Sequence, residues 1–438
     1  MSDVLSILPL SRPPATTIAV PGSKSITNRA LVLAALATPG PTQNASIIKN
    51  ALRCDDTEVM IACLSQLGIT IQADWRTNSL TVPCVPRSEW RAPAELYCGN
   101  SGTTLRFLTA MLALGRGAYR LDGDPRMRER PVQDLLDALA ELGVEAQWEV
   151  QRGYPPVVVN AHGLSGGKVR VRGDVSSQFL SGLLMASPLA SAAVEISLVG
   201  KLVSWPYVAM TLDMMKQWGV TVDEGAPADS DNPIDWRIEP QPYRAETYVV
   251  EPDASAASYF WSAAAITGGE VTVPGLTLHG CLQGDVAFAD VLRRMGCQVF
   301  EDDLNCIRLR GGPLRGIDVD LQDMSDTVMS LAAVALFAKG PTTIRGVAHI
   351  RHKESDRLAA LAAELRKVGA EIIEFPDGLK IIPGDLRGAL LDTYNDHRLA
   401  MSLALIGLIV PGISIQNPSC VRKTYPDFFA DLDKLRQT

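Results

Sequence analysis

The sequence predicts an α/β protein of two domains, built from six βαβαββ repeats with three repeats in each domain. Three observations lead to this prediction. A short polar cluster recurs every 70 to 78 residues along the 438-residue chain. A helix almost free of charge follows each cluster, and an amphipathic helix comes later in the same repeat. A period of that length corresponds to a whole supersecondary unit.

The polar clusters mark where the first helix of each repeat begins. They are Ser23–Ser25, Asn100–Thr103, Ser176–Gln178, Asp253–Ser255, Ser325–Thr327 and Asn395–Arg398. The start of a helix offers N–H groups that have no partner within the helix, together with a partial positive charge. Six such starts could converge on one anionic ligand.

The first helix of each repeat is predicted to be buried. The predicted segments are Ala30–Ala37, Leu105–Leu114, Phe179–Ala186, Tyr259–Ile266, Val328–Phe337 and Leu399–Leu408. These segments are apolar on all sides, which is the pattern of a helix inside a core. Each domain should therefore hold three buried helices under its sheets.

The second helix of each repeat is predicted to bury only one face. In Pro131–Leu142 the leucines form an apolar stripe, and acidic residues face away from it. A glycine such as Gly143 or Gly296 follows, where a left-handed residue commonly ends a helix. Short β-rich runs then predict strands, for example over Ile69–Ile71 and Val220–Val222. A domain boundary near residues 244–249 follows from the repeat count.

The composition is typical of a globular protein that does not bind nucleic acid. Hydrophobic residues make up 47% of the chain and charged residues 21%, which are ordinary values for a soluble protein. The net charge of −8 argues against a nucleic-acid partner held by bulk electrostatics. An anionic ligand would have to be held by a local cluster of Lys and Arg.

We expect no signal peptide, no membrane segment and no disulfide. The segment Met1–Leu10 carries no basic residue. Two long uncharged stretches, Val175–Val194 and Leu399–Val421, contain polar residues or Pro-Gly breaks, so we interpret each as a buried helix followed by a turn. The eight cysteines form no CxxC pair and are expected to be reduced thiols of a cytoplasmic protein.

The segment from Pro21 to Arg29 is a candidate anion site. It places Lys24 and Arg29 around a helix start that also carries small hydroxyl residues. It lacks the glycine spacing of a phosphate-binding loop, and an ordinary helix cap with solvated charges is the alternative interpretation. Because basic residues at a helix start oppose the helix dipole, their presence favours an anionic ligand.

The arginine-rich turn Asp122–Pro131 is a second candidate, although a solvated charge run is the commoner role of such a segment. Polar residues recur at the same point of three other repeats, at Val203–Pro206, His352–Arg357 and Arg422–Pro426. This recurrence favours a shared binding rim.

Arg398 opens a buried helix directly after His397, and a buried Arg requires an anion or a carboxylate as partner. The pair His349 and His352 could suggest a metal ion, but no third ligand stands at a suitable spacing. We therefore expect neither a metal nor a cofactor.

Together these motifs resemble the enolpyruvyl transferases, and among them the 5-enolpyruvylshikimate-3-phosphate synthases. The resemblance covers essentially the whole chain and is carried by Pro21–Ser25, Gly99–Thr103, Pro125–Pro131, Ser176–Phe179, Lys353–Arg357 and Asp396–Arg398. It implies two domains joined by two crossover strands, with the ligands between them. The implied domains are 22–245, which would bind shikimate-3-phosphate, and 1–21 with 246–438, which would hold the catalytic carboxylates and part of the phosphoenolpyruvate site.

The resemblance also implies a reaction of the shikimate pathway, which leads to the aromatic amino acids. Phosphoenolpyruvate would transfer its enolpyruvyl group to the 5-hydroxyl of shikimate-3-phosphate, and phosphate would leave. Both substrates are polyanions, which suit Arg and Lys ligands. The alternatives are a UDP-N-acetylglucosamine enolpyruvyl transferase and a non-catalytic anion-binding module. We expect a monomer that needs no partner other than these small molecules.

Matching the motif positions implies a role for each site residue. The expected catalytic residues are Asp326 as general base, assisted by Lys24, and Glu354 as proton donor. The expected ligands of shikimate-3-phosphate are Lys24, Ser25, Arg29, Ser176, Ser177, Gln178, Ser204, Tyr207, Asp326, His349 and Lys353. The expected ligands of phosphoenolpyruvate are Lys24, Asn100, Gly102, Arg126, Gln178, Arg357, His397, Arg398 and Lys423. Two residues depart from the pattern of plant-like members, since Phe107 stands in place of Pro and His349 in place of Asn.

Overall fold

Helices and strands follow one another with the predicted period. The computed structural model describes residues 3–225 and 235–437. The α-helices of this part of the chain are α1 (Lys24–Leu36), α2 (Asp55–Gln66), α3 (Gly102–Leu112), α4 (Gln133–Glu141), α5 (Ser177–Ala186), α6 (Trp205–Gln217), α7 (Ala254–Thr267), α8 (Phe288–Met295), α9 (Val328–Ala335), α10 (Arg357–Lys367), α11 (His397–Ile406) and α12 (Phe428–Lys434).

The β-strands are short, mostly of three to six residues. Those before residue 200 are β1 (Val4–Ser6), β2 (Ala15–Thr17), β3 (Ala45–Lys49), β4 (Gln72–Asp74), β5 (Ser79–Pro83), β6 (Ala94–Tyr97), β7 (Gly117–Asp122), β8 (Glu145–Trp148), β9 (Val157–Ala161), β10 (Gly167–Arg172) and β11 (Val194–Val199). Those after it are β12 (Asp223–Glu224), β13 (Asp235–Ile238), β14 (Thr247–Val249), β15 (Glu270–Pro274), β16 (Gln298–Asp302), β17 (Cys306–Arg310), β18 (Asp318–Asp320), β19 (Thr342–Arg345), β20 (Glu371–Phe375), β21 (Gly378–Ile382), β22 (Leu390–Leu391) and β23 (Ser414–Gln416).

The chain folds into two compact units, one of residues 22–250 and the other of residues 1–21 with 251–438. Strand β14 pairs in parallel with β3 and so completes a sheet of the first unit. The first unit therefore ends at residue 250, whereas the repeat count predicted a boundary near residues 244–249 and the family resemblance implied a domain that ends at residue 245.

Three four-stranded sheets form the unit of residues 22–250. Their strand orders are β14-β3-β5-β4, β6-β7-β9-β8 and β10-β11-β13-β12. In each sheet the first two strands are parallel, and the other neighbours are antiparallel. Parallel neighbours need a crossover connection, which α3 supplies between β6 and β7, and α5 supplies between β10 and β11.

The unit of residues 1–21 with 251–438 takes two strands from the start of the chain. Its sheets have the orders β16-β17-β15-β2, β18-β19-β21-β20 and β1-β23-β22. Strand β2 pairs in parallel with β15, and β1 pairs antiparallel with β23. The sixth repeat therefore departs from the βαβαββ prediction, because its third strand is β1 and the chain ends in α12.

The first helix of every repeat is buried, as predicted. All residues of α3 and α11 are buried, and so are all residues of α1 from Ile26 onwards. Five of these six helices begin before their predicted apolar segments; α7, for example, begins at Ala254 and not at Tyr259. Helix α9 begins at Val328 as predicted, and its polar cluster lies in the preceding 3-10 helix, Gln322–Thr327. In the other five repeats the polar cluster forms the first turn of the helix, which places the cluster at the edge of the core.

The second helices and the glycines that follow them also agree with the prediction. Helix α4 buries its leucine face, and Gly143 and Gly296 have φ angles of 85° and 118°. After α2 and α6, the strands begin later than predicted: β4 begins at Gln72 and not at Ile69, and β12 begins at Asp223 and not at Val220. The reason is that the N–H groups of Ile69 and Val220 bond to carbonyls of the preceding helices, at 3.0 Å each, and so cap those helices.

Each of the two long uncharged stretches, Val175–Val194 and Leu399–Val421, contributes most or all of a ten-residue helix, α5 and α11 respectively. Among the described residues, no helix has the length and apolar character that a membrane span would require. All eight cysteines are free thiols.

Candidate active site

Arg29 links three helices in the unit of residues 22–250. From α1, its guanidinium donates to Thr211 Oγ1 at 2.7 Å and to the carbonyl of Tyr207 at 3.1 Å, both on α6, and to Ser181 Oγ at 3.2 Å on α5. The side chain is 2% exposed, and this burial lowers the pKa of Arg29 to about 10. Its partners among the described residues are neutral oxygens and aromatic rings. A carboxylate ligand would supply the missing counter-charge.

Lys24 opens α1 and is held by the neighbouring helix α2. Its Nζ lies 3.1 Å from Oδ2 of the buried Asp56. The sequence analysis did not include Asp56 in the site, because an acidic residue in the first turn of a helix has an ordinary structural explanation. The contact fixes the position of the Lys24 amino group at the start of the helix.

Gln178 joins the polar clusters of the second and third repeats. Its Oε1 accepts from Arg106 Nη1 at 2.8 Å, and its Nε2 donates to Thr103 Oγ1 at 3.4 Å. Ser176 caps α5 by accepting the N–H of Gln178 at 3.3 Å, and the buried Ser177 is the first residue of that helix. The starts of α3 and α5 are therefore in direct contact.

Gly102 lies under two arginines that the sequence analysis had not included among the ligands. A Cβ atom at this position would collide with Nη2 of Arg130 and would lie 2.5 Å from Nη1 of Arg106. Arg130 also donates to the carbonyl and to Oδ1 of Asn100, at 3.1 and 3.2 Å. Glycine is thus the residue that lets two guanidinium groups approach the start of α3. A clue was available for Arg130, which belongs to the arginine-rich turn.

The other expected residues of this unit lie on the same helix starts or on the arginine-rich turn. Ser204 caps α6 with a left-handed backbone, at φ 56°, and Tyr207 follows in the first turn of that helix. Ser25 is half-buried in the first turn of α1. Arg126 is 32% exposed and pairs with Glu129 at 2.7 Å. Its position is therefore less constrained by burial than that of Arg29.

Arg357 organises the site residues in the other unit. Its guanidinium donates from Nε to Asp396 at 2.9 Å, from Nη1 to Asp326 at 3.1 Å and from Nη2 to Glu354 at 2.8 Å. The residue is 1% exposed. Burial by itself would lower the pKa of Arg357, but Asp396, Glu354 and Asp326 together raise it above its ordinary value. The side chain therefore stays cationic.

Arg398 and Asp326 form the second pair of this cluster. Nη2 of Arg398 donates to Asp326 Oδ2 at 2.7 Å, while Oδ1 of the same carboxylate accepts from Arg357. The expected general base thus bridges the two arginines that are expected to hold a carboxylate. Lys423, the last residue of the 3-10 helix Pro418–Lys423, also reaches this cluster. Its Nζ lies 3.9 Å from Glu354 Oε1.

Asp396 was recognised as part of a motif but not as a member of the site. Its carboxylate caps α11 by accepting the N–H of Arg398 at 3.0 Å, and it also accepts from Ser355 and Arg357. His397 is buried beside it, with Nδ1 3.7 Å from Asp396 Oδ1. A completely buried carboxylate therefore fixes the start of the helix that carries two expected ligands.

His349 is buried in a short 3-10 helix, Ala348–His352. Burial first, and the nearby charge of Lys353 second, lower the pKa of His349 to about 3, although Asp326 acts in the opposite direction. The imidazole is therefore neutral at physiological pH. In this respect it matches the neutral Asn that the family pattern has at this position. Within the described ranges, no group of three His, Cys, Asp or Glu residues is arranged to hold a metal ion.

Comparison with solved structures shows which fold the protein has. An EPSP synthase from Acinetobacter baumannii superposes with a TM-score of 0.79 at 24% identity, and covers 99% of this chain and 98% of its own. The enolpyruvyl transferase NikO from Streptomyces tendae superposes with a TM-score of 0.76 at 19% identity, with the same coverage. The fold is that of the enolpyruvyl transferases.

Sequence similarity identifies the family within this class. The family model described as EPSP synthase (3-phosphoshikimate 1-carboxyvinyltransferase) matches residues 11–432. The 3-phosphoshikimate 1-carboxyvinyltransferase of Nostoc punctiforme is 45% identical over 427 residues, which are 98% of each chain. That of Shewanella loihica is 46% identical over 424 residues, which are 96% of this chain and 97% of the relative. The chain belongs to the EPSP synthase family.

The family match decides between the acceptors that the sequence analysis had left open. The protein is a transferase of the shikimate pathway, and it transfers the enolpyruvyl group of phosphoenolpyruvate to shikimate-3-phosphate. The predicted fold, enzyme class and reaction are thereby confirmed. The assignment of individual residues to the two substrates is a separate question.

Proposed function

We propose that Asp326, Glu354, Arg357 and Arg398 perform the chemistry of this transfer. The observation that best supports the proposal is that both carboxylates contact one guanidinium. Asp326 lies 3.1 Å and Glu354 lies 2.8 Å from Arg357. A base and an acid are thus held on the same group that is assigned to the carboxylate of phosphoenolpyruvate.

In the first step, Glu354 donates its proton to the methylene carbon of phosphoenolpyruvate. The π electrons of the C=C bond form the new C–H bond, and positive charge develops on the adjacent carbon. Arg357 and Arg398 hold the carboxylate on that carbon, so the reacting atoms keep a fixed position relative to Glu354. General acid catalysis of this kind contributes about 10² to 10⁴ in rate.

In the second step, the 5-hydroxyl of shikimate-3-phosphate adds to the carbon that carries the positive charge. Asp326 takes the hydroxyl proton, because an alcohol becomes a good nucleophile only as it loses its proton to a positioned base. Lys24, which Asp56 holds at 3.1 Å, assists this step. The product is a tetrahedral intermediate that still carries the phosphate.

In the third step, the C–O bond to the phosphate breaks, and the phosphate leaves as hydrogen phosphate with the proton that Asp326 took in the second step. The Glu354 carboxylate takes back a proton from the methyl group, and the electrons of that C–H bond restore the double bond. Lys24, Arg126 and Lys423 stabilise the negative charge of the departing phosphate. Over the whole reaction, one phosphate is released for each enolpyruvyl group transferred.

The acceptor is held mainly by residues of the unit of residues 22–250. Ser176, Ser177, Ser204 and Lys353 bind the phosphate of shikimate-3-phosphate with helix starts, hydroxyl groups and a positive charge, and His349 is a further ligand of this substrate. Ser25 and Arg29 bind its carboxylate, which would neutralise the buried Arg29. Gln178 and Tyr207 contact the ring.

The donor is held by the remaining expected ligands. They are Asn100, Gly102, Arg126, Gln178 and Lys423 with Lys24 around the phosphate, and Arg357 and Arg398 with the neighbouring His397 around the carboxylate. The structure supports adding Arg106 and Arg130, because both reach the start of α3 beside Gly102. We further propose that the protein acts as a cytoplasmic monomer.

Release of phosphate with two different acceptors tests the reaction on which these residue roles depend. The purified protein is incubated with phosphoenolpyruvate and either shikimate-3-phosphate or UDP-N-acetylglucosamine. We expect release with the first acceptor only. Release with the sugar nucleotide would show the alternative transferase activity, and release with neither would leave a binding module.

A further inference from the structure

The polar cluster of the fourth repeat, Asp253–Ser255, is the one predicted cluster to which the proposed mechanism gives no role. It opens α7, where Asp253 caps the helix by accepting the N–H of Ala256 at 2.9 Å. The clusters of the other repeats contribute expected ligands or catalytic residues. This difference raises the question of what Ser255 does at the corresponding position.

Ser255 connects Arg398 to a buried carboxyl group. Its Oγ accepts from Nη2 of Arg398 at 3.4 Å, and its hydroxyl donates in a short hydrogen bond to Oδ2 of Asp285. A serine hydroxyl has one hydrogen to donate and also accepts. Because the guanidinium can only donate, the hydroxyl hydrogen is left for Asp285. The three groups therefore form a hydrogen-bonded chain in which Arg398 donates to Ser255 and Ser255 donates to Asp285.

This chain restricts how the Arg398 guanidinium can turn. Nη2 also donates to Asp326 at 2.7 Å, and Nη1 donates to the hydroxyl of Tyr259 at 3.4 Å. The two hydrogens of Nη2 thus have separate acceptors, one on the expected general base and one on Ser255. A planar guanidinium with both hydrogens of one nitrogen engaged cannot rotate about its axis without losing a hydrogen bond.

Asp285 is itself fixed by the segment that carries it. It lies in a 3-10 helix, Gly284–Ala287, and is 3% exposed. The preceding Gln283 accepts the N–H of Ala254 at 3.0 Å and donates to the carbonyl of Pro252 at 2.7 Å. The segment is therefore tied to the start of α7. Burial first, and Asp326 second, raise the pKa of Asp285 to about 7, against the influence of Arg398.

We propose that Asp285 and Ser255 are positioning residues that hold Arg398 in the orientation in which it binds the carboxylate of phosphoenolpyruvate. The fourth cluster would thus serve the site through another residue, without contacting a substrate. This inference rests on the proposed assignment of Arg398 to that carboxylate. It predicts a larger effect on phosphoenolpyruvate than on shikimate-3-phosphate, since Ser255 bonds directly to Arg398, whereas Asp326, an expected ligand of shikimate-3-phosphate, lies one contact further along.

Steady-state kinetics of the full-length enzyme with both substrates test this inference. Ser255→Ala and Asp285→Ala should each raise the KM for phosphoenolpyruvate about 10-fold, the usual effect of losing a hydrogen bond to a charged group. The KM for shikimate-3-phosphate should change less than about twofold. The double variant should be no worse than either single variant, because both residues act through one chain.

Two further variants separate positioning from a general structural effect. Asp285→Asn keeps an oxygen that accepts from Ser255, so it should restore the KM for phosphoenolpyruvate to within about twofold of the wild-type value. Ser258→Ala is the matched control. Ser258 is buried one turn later on α7, and its hydroxyl donates to the carbonyl of Ser255 and contacts Ser330 Oγ at 2.9 Å. It should leave both KM values unchanged.

The outcomes that overturn the inference are distinct. It is wrong if Ser255→Ala has the wild-type KM for phosphoenolpyruvate, or if Asp285→Ala raises both KM values by the same factor. It is also wrong if Asp285→Asn is as impaired as Asp285→Ala. If Asp285→Ala does not fold, Ser255→Ala, which removes a single oxygen, still decides.

Arg398→Gln tests the assignment on which the inference rests. An unchanged KM for phosphoenolpyruvate in this variant would overturn both the assignment and the inference. A raised KM together with an unaffected Ser255→Ala would overturn the inference alone.

Discussion

At the scale of single residues, the site contains charged side chains whose burial is stabilised by oppositely charged neighbours. Arg357 is almost fully enclosed, and it contacts Asp396, Asp326 and Glu354. Removing one member of a buried ion pair typically costs about 3 to 5 kcal/mol, so these groups are interdependent. Substitutions that remove a charge but keep the shape are therefore the most informative.

Glu354→Gln tests the proton donor. We expect turnover to fall by at least about 10²-fold, because an amide cannot donate a proton to carbon, while shikimate-3-phosphate still binds. Stopped-flow and steady-state measurements of phosphate release give the rate, and calorimetry gives the affinity. Glu371→Gln, an exposed change in β20 of the same unit, serves as the control. Near-normal turnover in Glu354→Gln would contradict the assignment.

His349 provides a test of pH dependence. In the unfolded chain a histidine binds a proton below about pH 6.5, whereas the folded protein does not protonate His349 until about pH 3. The unfolded state therefore binds more protons in this window, and His349 makes the protein less stable as the pH falls through it.

His349→Asn should remove this loss of stability. Between pH 7 and pH 4.5, the wild-type protein should lose about 2 kcal/mol more of its free energy of unfolding than the variant does. Urea unfolding at both pH values measures the difference, with the exposed His162→Asn as the matched control. Equal losses in the wild-type protein and in His349→Asn would show that this histidine is not buried in its neutral form.

The site could be predicted from sequence where a residue stands within a recurring motif. Arg398 was expected because it opens a buried helix in such a motif, and Arg357 because it belongs to the recurring polar segment His352–Arg357. Asp56 and Asp285 were missed, because an isolated acidic residue in a first turn or a short helix has no pattern of its own. Their roles arise from contacts with Lys24 and Ser255, which lie 32 and 30 positions away, and no local pattern encodes such contacts.

At the scale of helices and strands, periodicity gave the correct types of element and was less reliable for their ends. The apolar segments located all six buried helices, but for five of them, all except α9, they omitted the first residues of the helix, because those residues are polar or belong to the polar clusters. The pairing of strands was not predictable. Three-residue strands such as β1 and β2 contain too few alternating positions to specify a partner.

Alanine substitutions at two glycines that follow helices allow the cost of backbone strain to be compared with the cost of a steric collision. Gly268 follows α7 with a φ of 71°, and a Cβ there would have no neighbouring atom within 4 Å. Gly296 follows α8 with a φ of 118°, and a Cβ there would lie 2.5 Å from the carbonyl oxygen of Pro313. Gly268→Ala should destabilise the protein by about 1 kcal/mol. Gly296→Ala should cost about 2 kcal/mol or more, because it adds a collision to the strain.

Chemical denaturation of both variants under the same conditions measures the difference. Equal free energies of unfolding for the two variants would mean that the loop at Pro313 shifts without cost. The collision would then contribute nothing to stability.

At the scale of the whole molecule, the two units differ in how much of the chain they need. The unit of residues 22–250 contains every strand of its three sheets. The other unit needs β1 and β2, and it buries Ile7, Ile18 and Val20 from the same N-terminal segment in its core. A single continuous piece of the chain therefore suffices for one unit and not for the other.

Separate expression of the two units tests this difference. Residues 22–250 alone should unfold cooperatively in urea. Residues 251–438 alone should not, because β15 and β23 lose their pairing partners and the core loses apolar contacts. Joining residues 1–21 to residue 251 through a flexible linker should restore a cooperative transition. Cooperative unfolding of 251–438 alone, with the stability of the joined form, would contradict this account.

The N-terminal strands also determine the order in which the protein can fold during synthesis. The ribosome releases β1 and β2 first, yet it makes Ser414–Gln416, the partner of β1, near the end of translation. The unit of residues 22–250 can fold before β23 is synthesised, and during that time β1 has no strand to pair with. Strand β1 is therefore synthesised long before its partner in the sheet, and it can take its final place only when that partner has been made.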